Sequence, residues 1–254
     1  MSIDIRGASL TMGNKVLLDK VNLSFNPSEL TIILGPNGTG KSSLLKLLSR
    51  EWKCDGELSL YGKRAHEWKP ELLAQSVGIL PQSSSLTFGF TVREVVELGG
   101  LALSASNHEI QEIATYNMTQ TDVLHLSERL YPSLSGGEKQ RVHLARVLTQ
   151  ISKAERNTVL MLDEPTSALD IGHQHKTLRL AKRMAKEGST VIAVIHDLNL
   201  AAQYGDRIIM LNKGNIEADG TPDSVLNADN IESVYGWPVD VMPHPQHHYP
   251  VILA

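Results

Sequence analysis

The sequence predicts an α/β fold: a mainly parallel sheet, with antiparallel strands ahead of it and a helical segment inserted into it. Three observations predict this. Unbroken apolar runs at residues 30–34, 158–162 and 190–195 read as strands buried on both faces, and stretches with helical apolar spacing alternate with them. Residues 2–30 instead alternate apolar and polar side chains, the pattern of half-buried antiparallel strands. From about residue 83 to 150 the texture is helical, which marks a candidate subdomain inside the α/β core.

Taken in order, Ile3 and Ile5 alternate with polar neighbours, as do Val21, Leu23 and Phe25, and Gly13-Asn14 supplies the turn between the two strands. Residues 56–62 read as a strand closed by glycine, and residues 77–80 as a short apolar strand ending at Pro81-Gln82. Thr91 is placed to cap a helix, and further short helices are expected at 108–117 and 121–126. Ser135 caps a helix that runs on through Val142, Leu144, Ala145, Val147 and Leu148. An amphipathic helix follows at 173–187, and residues 207–217 read as a hairpin turning at Lys213-Gly214. No fixed-period repeat and no low-complexity segment interrupts this order.

The chain of 254 residues can bury a sizeable core as one domain with a subdomain. A formal net charge of −4, without a basic block, gives no sign of a nucleic-acid partner. Cys54 is the single cysteine, which excludes an internal disulfide framework and a paired-cysteine metal site. The N-terminus lacks the basic start and apolar run of a signal peptide, and no apolar run reaches the roughly 18 residues a membrane helix needs. A soluble, cytoplasmic chain is the expectation.

The chemistry centres on Gly35-Pro36-Asn37-Gly38-Thr39-Gly40-Lys41-Ser42, between an apolar strand and a helix marked by Leu44, Leu45, Leu47 and Leu48. Glycines at this spacing let successive N–H groups converge on a phosphate, and the helix adds its positive end. Lys41 is placed to reach the β- and γ-phosphates, Ser42 to ligate Mg²⁺, and Ser43 to join the phosphate contacts from the first helical turn. A glycine-rich turn that merely precedes a helix is the plainer reading, and the full spacing disfavours it. The chain is therefore expected to bind a nucleoside triphosphate.

Asp163 and Glu164 close a buried strand, the end at which ligands gather in open α/β sheets. Asp163 is expected to hold Mg²⁺ and Glu164 to polarise the attacking water. Ser135-Gly136-Gly137 precedes a helix and forms a second possible anion site. Two such sites raise the option of a phosphate held between two copies of the chain.

The residues at 35–42, Gln82, the run Leu134-Ser135-Gly136-Gly137-Glu138-Lys139-Gln140-Arg141, the strand ending in Asp163-Glu164, the segment 167–170 and His196 occur in one order. In that order the chain resembles the ATP-binding subunit of an ABC transporter over nearly its whole length. The resemblance implies a P-loop NTPase of the ABC-ATPase fold: one domain over 1–254, with core and antiparallel β subdomain at about 1–82 and 151–254 and a helical subdomain at about 83–150. It implies a head-to-tail homodimer with two ATP at the interface, each lying on the loop of one copy and closed by Ser135, Gly136 and Gly137 of the other. His196 is then expected to contact the γ-phosphate, Gln82 to approach Mg²⁺ and the water, and Asp170 to bridge the copies. Polytopic permease subunits, two by resemblance, an indirect periplasmic substrate-binding protein and a place at the cytoplasmic face of the inner membrane complete it. For His196 alone the bland reading is a buried histidine at a strand end.

Gly89-Phe90-Thr91-Val92 before an acidic helix and the run from His196 to Ala201 resemble importer ATPases of the iron-siderophore, haem and cobalamin group, and the C-terminal stretch at 235–239 and 243–245 resembles the haem-importer ATPases among them. A ferric siderophore or cobalamin is the alternative cargo, and a soluble ABC-type ATPase outside transport, or nucleotide binding without turnover, the alternative class. His244, His247 and His248 read as a solvated tail. One departure from the family stands out: Met12 occupies the neighbourhood where most members stack an aromatic ring on adenine, so weak discrimination among bases is expected.

Overall fold

The computed structural model describes residues 2–82, 88–154 and 158–254; the expected start of the helical insertion, residue 83, lies outside them. The chain forms two compact units, residues 1–67 with 182–254, and residues 68–181.

In the first unit, β1 (Ile3–Met12) and β2 (Lys15–Phe25) form an antiparallel hairpin about Gly13-Asn14. Ile3 pairs with Phe25 and Ile5 with Leu23, so the alternation read from the sequence delivers these side chains to one buried face. β3 (Glu29–Leu34) is buried from Leu30 onward, and α1 (Lys41–Leu48) follows the glycine-rich loop with Leu44, Leu45, Leu47 and Leu48 all inside. β4 (Asp55–Leu60) and the short β5 (Lys63–Arg64) extend the hairpin into a four-stranded antiparallel sheet in the order β2-β1-β4-β5.

The second unit holds α2 (Pro70–Ala74), β6 (Val77–Leu80), α3 (Val92–Glu97), α4 (Asn107–Gln120), α5 (Gly136–Ile151) and β7 (Val159–Asp163). β6 and β7 run parallel, Val77 opposite Val159 and Leu80 opposite Leu162. α3, α4 and α5 each begin with a reciprocal capping box: Thr91 with Glu94, Ser106 with Glu109, Ser135 with Glu138. Such a cap stabilises a helix by about 1 kcal/mol. Val92, Val95, Val96, Met118, Val142 and Ala145 make the apolar centre beneath these helices.

Residues 121–126 depart from the helix expected there. Asp122 adopts a left-handed φ of 57°, and Thr121 turns its hydroxyl back to the Asn117 carbonyl at 3.0 Å, which ends α4. Only Leu124–Leu126 then coils, as a single 3₁₀ turn. A short polar residue at the helix end tolerates the left-handed conformation that the apolar spacing does not anticipate.

α6 (Ile171–Lys186) returns the chain to the first unit, where β8 (Thr190–Val194), α7 (Leu198–Tyr204), β9 (Arg207–Asn212), β10 (Asn215–Gly220), α8 (Pro222–Val225), α9 (Ala228–Tyr235), β11 (Asp240–Pro243) and β12 (Pro250–Leu253) follow. β3 lies between β8 and β9 and is parallel to both, with Ile32 opposite Ala193 on one side and Ile208 on the other. β10 closes that edge as an antiparallel partner of β9. Arg207 clasps Asp219 with two 2.6 Å bonds across this hairpin.

Candidate nucleotide site

The loop after β3 has a shape that side chains would prevent. Gly35 has φ 145° and Gly40 has φ 107°; a Cβ would strike the Leu211 carbonyl at the first and the Leu17 carbonyl at the second. Gly40 stands at the N-cap of α1 and has no side chain to close the helix end. Lys41 is 6% exposed, and its Nζ donates to the carbonyls of Gly35 at 2.7 Å and Pro36 at 2.9 Å. Thr39 Oγ1 also donates to Pro36 O at 2.9 Å, which fixes the turn, while Asn37 and Gly38 are exposed at its tip. Ser42 and Ser43 occupy the first turn of α1, half-buried. The loop concentrates a helix N-terminus and an ammonium group at one place, an arrangement that favours a phosphate.

Tyr235, at the end of α9, was not singled out from the sequence as a site residue. Its hydroxyl accepts the Gly35 N–H at 3.0 Å. Burial pushes this phenol up to about 12, only partly offset by the Gly35 bond, so it stays a neutral partner for the loop. His196 is exposed in the turn between β8 and α7, with Asp197 beside it capping α7 through Leu200 N–H. It is therefore not the buried strand-end histidine of the bland reading.

The other expected residues lie in the second unit. Asp163 ends β7 and is 8% exposed. Glu164 follows with a left-handed φ of 52°, a conformation costing on the order of 1–3 kcal/mol for a residue with a side chain. It is held at both ends. Gln82 Nε2 donates to its Oε2 at 2.9 Å, while its carbonyl accepts Gln140 Nε2 at 2.9 Å and Ser167 Oγ at 3.1 Å. Gln82 and Glu164, separated by 82 positions, are thus neighbours.

Ser135 uses its hydroxyl to cap α5, accepting Glu138 N–H at 3.3 Å and donating to Glu138 Oε2 at 2.8 Å. The Ser135 N–H and hydroxyl hold the Glu138 carboxyl below the usual range. Gly137 packs so closely that a Cβ would stand 2.7 Å from Ala168 O, whereas one at Gly136 would find Ala168 Cβ at 3.9 Å. Asp170 immediately precedes α6, its carboxylate accepting the His173 N–H at 2.9 Å, and that bond leads in depressing its carboxyl. Behind the motif, Tyr131 Oη lies 2.7 Å from Nε2 of the buried His143. Burial, with the Arg146 charge adding to it, pushes His143 down to about 4.

Among the described residues no group of three or more His, Cys, Asp or Glu converges to hold a metal ion. His244 and His247 sit with ring centroids 4.6 Å apart at the turn joining β11 to β12, and His247 and His248 are exposed.

A backbone cradle that only glycine can build, with a lysine folded into it, marks a nucleotide-binding protein of the P-loop class. Over residues 18–167 the chain matches the family model described as ABC transporter, and it belongs to that family. It is accordingly an ATPase. It is 56% identical to a hemin import ATP-binding protein HmuV of Photobacterium damselae subsp. damselae, over 96% of this chain and 93% of the relative. A protein of the same description from Photobacterium profundum is 54% identical over 100% and 92%, and one from Vibrio cholerae serotype O1 is 51% identical over 99% and 98%. Among solved structures, a dimeric ATP-binding cassette in a post-hydrolysis state with ADP and Pi is similar at TM-score 0.76 and 27% identity, covering 86% of this chain and 98% of that one. An ATP-binding subunit of an ABC transporter matches in fold at TM-score 0.78 and 22% identity, over 93% and 94%.

Proposed function

We propose that the chain is the ATP-binding and hydrolysing subunit of an importer that carries haem across the inner membrane. The supporting observation is identity of 51–56% over 96–100% of this chain to proteins described as hemin import ATP-binding subunits. In this reading two copies form a homodimer at the cytoplasmic face, bound to two permease subunits and served by a periplasmic substrate-binding protein. No helix among the described residues is long and apolar enough to cross a membrane, so attachment would run through those partners. The division into a core with β subdomain at about 1–82 and 151–254, and a helical subdomain at about 83–150, belongs to the same reading.

Lys41 and the loop Gly35–Ser43 bind and orient the triphosphate, and Glu164 takes the proton of the attacking water as general base. His196 stabilises charge on the γ-phosphate with Lys41. Ser135, Gly136 and Gly137 close on the ATP of the other copy, and Asp170 bridges the copies. Ser42, Gln82 and Asp163 offer the hard oxygen donors that suit Mg²⁺, which supplies charge neutralisation on the phosphates when bound.

Transport into vesicles with the cognate permease tests the cargo: haem is expected to be carried in preference to ferric siderophores and cobalamin, and the reverse preference overturns the assignment. Glu164→Gln is expected to keep ATP-dependent dimerisation while turnover falls by about 10²-fold or more. Unchanged turnover removes Glu164 from its role.

A further inference from the structure

We infer that Gln140 is a positioning residue for Glu164. The inference rests on the catalytic role proposed above for Glu164. Gln140 lies on α5, one helical turn behind Gly136 and Gly137 and on the same face. Its Nε2 donates to the Glu164 carbonyl at 2.9 Å, next to the Ser167 hydroxyl on the same oxygen. That carbonyl belongs to the residue held at φ 52°, so fixing the peptide plane fixes the direction in which the carboxylate leaves the backbone. The carboxylate is in turn anchored to Gln82. A left-handed glutamate keeps one orientation only while its surroundings over-determine it, and Gln140 is one of the groups that do so.

The amide of Gln140 serves this bond at a cost. Its Oε1 is buried and accepts no hydrogen bond from the described residues. An interaction chosen for stability alone would pair both ends of the amide. Pro81, Gln82, Gly136, Gln140, His143 and Ser167 line one cleft of about 210 Å³, so the start of α5, the glutamine that anchors the carboxylate and the segment after Glu164 share one wall.

The test uses the full chain in its permease complex, with Gln140→Leu and the near-isosteric Gln140→Glu, neither of which can donate at this position. Steady-state ATP hydrolysis gives kcat and KM, and nucleotide binding is measured separately. The expected result is kcat lowered about tenfold or more, with ATP affinity within about twofold of the parent. Kinetics matching the parent in either folded variant overturn the inference, as does a loss confined to ATP affinity. Should Gln140→Leu fail to fold, Gln140→Glu carries the same readouts. A parent complex without ATP turnover or ATP-dependent dimerisation overturns the underlying function and this inference with it; a parent with both, and unaltered variants, overturns this inference alone.

Discussion

The N–H of Gly35 donates to the hydroxyl of Tyr235 at 3.0 Å, tying the first peptide of the phosphate loop to a residue 200 positions later in the chain. The bond aims a backbone segment that has no side chain of its own to anchor it. Tyr235→Phe keeps the ring and removes the acceptor. It is expected to destabilise the fold by about 1 kcal/mol and to weaken ATP binding several-fold. Thermal melting and nucleotide titration of the variant check this, and parent-like binding shows that the loop holds its shape without Tyr235.

Gly136 and Gly137 are adjacent but should respond differently to alanine. A Cβ at Gly137 meets the Ala168 carbonyl at 2.7 Å, so Gly137→Ala displaces the segment after Glu164 and is expected to lower the melting temperature. At Gly136 the nearest group is 3.9 Å away, and Gly136→Ala is expected to leave the melting temperature unchanged while weakening ATP-dependent dimerisation. Equal loss of stability in both variants contradicts the distinction.

His143 makes stability depend on pH. Burial pushes its ring down to about 4 from 6.5, so the unfolded chain takes up this proton at a higher pH than the folded one. Stability is therefore retained above the unfolded value and lost as pH falls from about 6.5 towards 4. Glu109, held at about 2 by Lys153 first and Ser106 next, loses its contribution only lower, between about 4.5 and 2. His143→Gln should flatten the drop in melting temperature between pH 7 and 5. An identical slope in parent and variant assigns the drop to other groups.

Met12 ends β1 and is 54% exposed, an apolar contact without a π face. Competition binding is expected to show ATP and GTP within a few-fold of each other, and Met12→Tyr to raise affinity for both. A strong adenine preference that survives Met12→Ala would show that the base is read elsewhere.

Much of the α/β order was legible because it is written at short range. Buried runs such as residues 190–195 and the leucines after Lys41 announce themselves by apolar pattern, and Thr91 and Ser135 announce helices by capping chemistry with Glu94 and Glu138. The end of α4 was not legible, because the left-handed turn at Asp122 is decided by a local hydrogen bond rather than by periodicity. Of the groups that fix the candidate site, Gln140 sat inside a recognised motif and could be placed on its helix face by counting, but its target could not.

The sequence by itself determined the α/β pattern, the glycine-rich loop and the capped helix behind Ser135, since each depends on residues within a few positions of one another, and the family, since the motifs follow one another in one order along the chain. Only the tertiary structure decided that Tyr235 holds Gly35, that Gln82 and Gln140 grip Glu164 from opposite ends, and that His143 is buried against Tyr131. These are hydrogen bonds between groups brought together by folding. Such a long-range bond depends on a donor and an acceptor being folded to within about 3 Å of each other, which their spacing along the chain does not encode.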